Sequence, residues 1–81
     1  MESLEVFKMT RLSLDGLQIR LMGKTVKTGK INGALSTVKV KRVGDVLQLG
    51  NLLLTKKDRI CMAEDNTAWV MRDSGKVVVK W

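Results

Sequence analysis

The chain has 81 residues, 44% of them apolar, which fits one small folded domain (1–81) and excludes a disordered polar tail. Fifteen Lys and Arg against eight Asp and Glu leave a formal charge of +7, a field that attracts polyanions. His is absent, which removes the usual general base and the commonest zinc ligand, and no apolar run nears the ~20 residues of a membrane span.

Along the chain the dominant period is two. A first strand is expected over 4–14. Glu2 and Glu5 precede any apolar segment, so no secretory signal is expected. Leu17, Ile19 and Leu21 alternate with Gln18, Arg20 and Met22, which predicts a second strand over 17–22. Two further strands, over 25–31 and 35–43, flank Asn32-Gly33, a hairpin signal because both residues tolerate positive φ.

The register of that hairpin follows from its side chains. A two-residue loop sets Lys27 opposite Val38 and mixes charge with hydrocarbon on each face. A three-residue loop with Gly33 left-handed pairs Val26 with Val38 and Lys27 with Thr37, sorting apolar and basic residues to opposite faces. The second register is expected, with Lys27, Lys39 and Lys41 on one wet surface.

Beyond it, 46–54 reads as a strand, with a helical alternative in which Asp45 caps a stripe of Val46, Leu49 and Leu53. Gly50 weighs against the helix. Strands over 59–63, 68–72 and 76–81 complete the pattern, separated by Glu64–Asn66 and Asp73–Gly75. The fold class is therefore all-β: a meander, barrel or sandwich of six or seven short strands once some of these runs merge.

Charge is the most informative pattern. From Gly16 to Gly44 stand Arg20, Lys24, Lys27, Lys30, Lys39, Lys41 and Arg42 without a single acid, whereas elsewhere basic and acidic residues cancel. The expectation is nucleic acid, or another polyanion, bound by that hairpin mainly through phosphates, with weak sequence preference and strong salt dependence. The bland alternative is a solvated face neutralised by Glu5, Asp58 or Asp73. Phe7, Trp69 and Trp81 are the only aromatics, and the tryptophans read as core or strand-end residues, so base stacking is not expected.

Other features carry less. Glu64-Asp65 lacks a third metal ligand, and Gly23-Lys24-Thr25 lacks the upstream glycine of a phosphate loop. No metal or cofactor is expected. Cys61 stands alone without His to activate it, which suits a reducing compartment and a structural role. With no nucleophile or acid–base pair assembled, an enzyme is not expected. Met9, Met22, Met62 and Met71 read as pliable core fillers.

Leu52–Leu54 and Val77–Val79 hold more hydrocarbon than one face of a strand can bury. Leu53, Val78 and Trp81 are therefore the expected contacts of a homo-oligomer, with edge pairing tying down the terminal strand. This second reading is a structural or assembly protein, a viral, phage or other complex subunit acting through its apolar strands. A peripheral contact with an anionic membrane fits the charge as well. The expected setting is intracellular, cytoplasmic or nuclear, or within a virion.

Overall fold

The computed structural model describes residues 10–81. In chain order its elements are β1 (Thr10–Arg11), α1 (Leu14–Leu21), β2 (Val26–Lys30), β3 (Ser36–Val38), β4 (Val40–Val43), β5 (Val46–Leu49), β6 (Leu52–Leu54), β7 (Arg59–Glu64), β8 (Thr67–Arg72) and β9 (Gly75–Lys80). Antiparallel strands form a six-stranded sheet, ordered β1-β7-β8-β9-β2-β3, and a three-stranded sheet, β4-β5-β6; neither closes into a barrel. Of the strand expected over 4–14 only Thr10–Arg11 is seen, the remainder, with Phe7 and Met9, lying outside the described residues.

The strand expected over 17–22 is instead the C-terminal part of α1. Ser13 starts this helix: its hydroxyl accepts the Gly16 N–H at 2.9 Å. Asp15 in the first turn and Arg20 in the last suit the helix dipole. Leu14, Leu17 and Leu21, three and four residues apart, share the buried helical face, whereas Ile19 is 70% exposed and Met22 is exposed rather than a core filler. The helical period wins because Leu14 belongs to the set.

The expected strand over 35–43 changes sheets. β3 pairs with β2, β4 pairs with β5, and between them the Lys39 carbonyl accepts the Gly50 N–H at 3.1 Å. The helical alternative over 46–54 gives way to a hairpin, since Gly50 takes φ +64 as the first residue of the two-residue loop between Leu49 and Leu52. A Cβ at Gly50 would also lie 2.8 Å from the Val38 side chain, where the two sheets meet.

The β2–β3 register is the expected one, Val26 opposite Val38 and Lys27 opposite Thr37. Its turn is not: Gly33 does not adopt positive φ, and its N–H bonds the Lys30 carbonyl at 2.9 Å within a longer loop. Facial sorting fixes the register whatever the turn geometry.

The core lies between the sheets and under α1. Leu47, Leu49 and Leu54 come from the small sheet, Val26, Ile60, Ala68, Val70 and Val79 from the large one, and Leu14, Leu17 and Leu21 from the helix. Each fully buried Leu, Ile or Val side chain among them contributes about 1.5–3 kcal/mol. β9 is an interior strand between β8 and β2, so it needs no two-fold partner to cover an edge. Trp81 packs on the core margin, and its N–H reaches the Asn66 carbonyl at 3.0 Å.

Two arginines tie the parts together. Arg42 Nη1 donates to Asp15 Oδ1 at 3.0 Å and Gln18 Oε1 at 2.7 Å, while its Nε donates to the Gly44 carbonyl at 2.8 Å. This clamps β4 to α1. Arg72 Nη2 donates to the Leu53 carbonyl and to Asp58 Oδ2, the latter at 3.2 Å, and so clamps β8 to β6 and its following turn.

Candidate functional site

Directly paired residues share a face of a sheet, so the ladder of the six-stranded sheet sorts its side chains, with a register shift between Met62 and Glu64 that brings Glu64 opposite Thr67. On the inner face, Met62, Ala68 and Val79 form one row and Ile60, Val70 and Val77 the next, all packed on or against the core. The outer face holds three rows. One runs Lys27, Lys80, Thr67, Glu64. The next runs Gly29, Val78, Trp69, Cys61, Arg11. The third is Lys76, Met71, Arg59.

Apart from the exposed Arg11 at its β1 end, the middle row is apolar and close-packed. Cys61 is 7% and Val78 8% exposed although neither faces the main core, and Trp69 between them is half-buried. At one end the 31–35 loop folds over β2: a Cβ at Gly29 would strike the Ala34 carbonyl, so glycine is required there by space. Leu35 also lines a pocket with Lys27 and Lys80. Rows on one face stand about 7 Å apart, two residues along a strand. An apolar strip centred on Trp69 thus lies between two cationic rows about 14 Å apart.

Lys27 and Lys80 are direct cross-strand partners. Like charges so placed are destabilising. On the paired strand positions of this face Glu64 is the one acid, against Arg11, Lys27, Arg59, Lys76 and Lys80. Lys76 Nζ sits 4.9 Å from the centre of the Trp69 ring, within cation–π range. Among the described residues the ion pairs are Arg42–Asp15 and Arg72–Asp58, neither of them on this face.

The seven cations of the 16–44 window do not share a surface. Lys27 lies on the outer face of the large sheet. Lys39, at the change of sheet, lines a groove with Lys24 and Arg42 beside the end of α1. Lys41 pairs with Gln48 on the outer side of the small sheet, next to Leu53 across β5. Lys30 lines a separate groove with Lys76 between the β2–β3 and β8–β9 loops, and Arg20 is exposed on α1. Lys27, Lys39 and Lys41 are separated because the chain leaves the hairpin at Val38. Arg42 is occupied by its clamp.

Of the acids expected to neutralise the block, Asp58 is held by Arg72, Asp73 is exposed in the β8–β9 turn, and Glu5 lies outside the described residues. The expected oligomer contacts are dispersed too. Leu53 is 51% exposed on β6, Val78 belongs to the outer strip, and Trp81 points to the core side of β9.

Sequence reasoning missed Lys80 as the neighbour of Lys27, and Trp69, Arg59 and Lys76 as sharing its face. The signal lay in alternation: Val77, Val79 and Trp81 on one side of the last strand leave Lys76, Val78 and Lys80 on the other. Among the described residues no cluster of three potential metal ligands occurs, and no helix is long and apolar enough to cross a membrane. Comparison with protein-family models, curated proteins and solved structures finds no significant match.

Proposed function

We propose that this chain is a small β-domain that binds nucleic acid, and that the outer face of its six-stranded sheet is the binding surface. The observation that carries this reading is the cross-strand pair Lys27–Lys80, joined on the same face by Arg59 and Lys76 and opposed, among the described strand positions, by Glu64 alone. A fold that keeps like charges side by side, while neutralising Arg42 and Arg72 internally, leaves the paired lysines for phosphate. If five cations engage, log affinity falls with log salt at a slope of about −3 to −4 on a single strand and −4 to −5 on duplex.

The test uses two double variants of equal charge change. Lys27→Glu with Lys80→Glu keeps a like-charge pair across the strands, so stability is nearly conserved while the charge excess of the face is removed. Arg20→Glu with Lys41→Glu makes the same change elsewhere. The first is expected to abolish retention on a nucleic-acid column at low salt, and the second to retain it. Equal loss in both would mean that net charge alone drives binding, and equal retention would remove the face from the function.

A second reading, assembly with further copies or another protein, is supported by Leu53, Ile19, Met22 and Val43, all large apolar side chains more than half exposed. It predicts a concentration-dependent oligomer in sedimentation that Leu53→Asp reduces to a monomer.

A further inference from the structure

We infer that the outer face takes single-stranded nucleic acid, with a base stacked on Trp69 in place of the Lys76 ammonium. The inference rests on the nucleic-acid reading above and deepens it from a charged surface to a defined ligand class.

Three features of the strip point to an unpaired strand. First, the aromatic is central: Trp69 lies on β8, with two strands of the sheet on one side and three on the other. Its immediate row neighbours are Cys61 and Val78, small side chains that do not rise above an indole. The half-buried ring is reached on one side by the exposed Lys76, and a flat ligand would enter from that side.

Second, the cations other than Arg11 are rooted in the rows on either side of the strip, and Lys76 leans over the ring from its row. Lys80 and Lys27 stand one row to one side, Lys76 and Arg59 one row to the other. A rigid duplex presents phosphates outward with its bases enclosed and has no use for an indole between them. A single strand turns its bases to the apolar strip while its phosphates reach the flanking rows.

Third, the contact with Lys76 shows that one side of the ring accepts a partner. Its ammonium lies 4.9 Å from the centre of the half-buried ring, and Lys76 itself is exposed. An exposed cation–π contact is worth only about 0.5–1 kcal/mol, whereas a base stacked on an aromatic contributes about 1–3 kcal/mol. A base displaces the ammonium at a net gain, and the displaced lysine is then free to pair with phosphate. Stacking recognises the π-face shared by all bases, so the face discriminates strandedness more than sequence.

The experiment uses the full chain carrying Trp81→Phe, so that Trp69 is the sole fluorophore. A short oligothymidylate and a mixed-sequence duplex of equal length are titrated at low and high salt. The oligothymidylate is expected to quench Trp69 saturably and to bind about tenfold or more tightly than the duplex, with Trp69→Ala weakening it by about tenfold or more and Trp69→Phe by less. The quench needs no substitution at Trp69, so it decides the matter even where Trp69→Ala is unfolded by circular dichroism. Salt-sensitive binding with unmoved fluorescence, or with duplex preferred, overturns the stacking inference and leaves phosphate binding standing. Folded protein that binds neither probe overturns both.

Discussion

Arg42 and Arg72 sit among oxygens supplied by the chain itself, a carboxylate for each plus an amide or carbonyl. Lys27 and Lys80 have each other across β2 and β9 and no carboxylate partner among the described residues. The two groups carry the same charge. What differs is the distribution of acids: Asp15 and Asp58 lie where separate elements meet, and among the described strand positions Glu64 alone is placed on the broad face. Charge at the seams is structural, and charge on the face is directed outward. Composition cannot make that distinction, because it counts both groups alike.

The division between seam and face requires that the seams and core dominate stability. Leu17→Ala, at the fully buried centre of α1, is expected to destabilise by about 2–5 kcal/mol in urea unfolding, since the helix cannot collapse into the space while Arg42 holds it in place. A smaller loss would show that α1 re-seats easily and that the clamp is weak. Arg42→Met, which keeps the stem and removes the donors, is expected to cost about 1–2 kcal/mol, discounted for the partial exposure of the pair. Its affinity for a single strand should stay within about twofold of the parent, less than the tenfold of 1.4 kcal/mol. A large loss of affinity in folded Arg42→Met would put this arginine in the binding face.

The sequence carried the parts of this picture that depend on side-chain sorting within one pair of strands. Val26, Val38, Lys27 and Thr37 determine their register through which face each prefers, and the paired strands agree with it. The outward turn of one leucine in Leu52–Leu54 follows from the same rule. Larger-scale arrangement was hidden. Val38, Lys39, Val40 and Lys41 alternate without a break, so nothing local reveals that the strand passes from one sheet to the other. At 17–22 two periods fit the same leucines, and only Ser13 and Leu14 upstream favour the helix. In β8, Ala68 and Val70 compete with Trp69 and Met71 for the core. Both faces are apolar, and bulk argues for burying the tryptophan. Packing against the small sheet selects the smaller pair, and the indole is left on the side of the lysines.

The smallest effect is the most discriminating, because stability and binding should move in opposite directions. Lys27→Glu replaces a like-charge pair with an attractive one opposite Lys80, and a cross-strand pair of this kind contributes about 0.2–1 kcal/mol. Thermal unfolding at low salt should therefore occur at a slightly higher temperature than in the parent, with the difference fading as salt screens the exposed charges. Single-strand affinity should fall in the same variant and at the same low salt. A residue selected only for folding would not show this opposition. If Lys27→Glu is destabilising, the two side chains do not interact as their register requires; if it is stabilising without loss of affinity, the pair is an ordinary solvated contact and the binding face lies elsewhere.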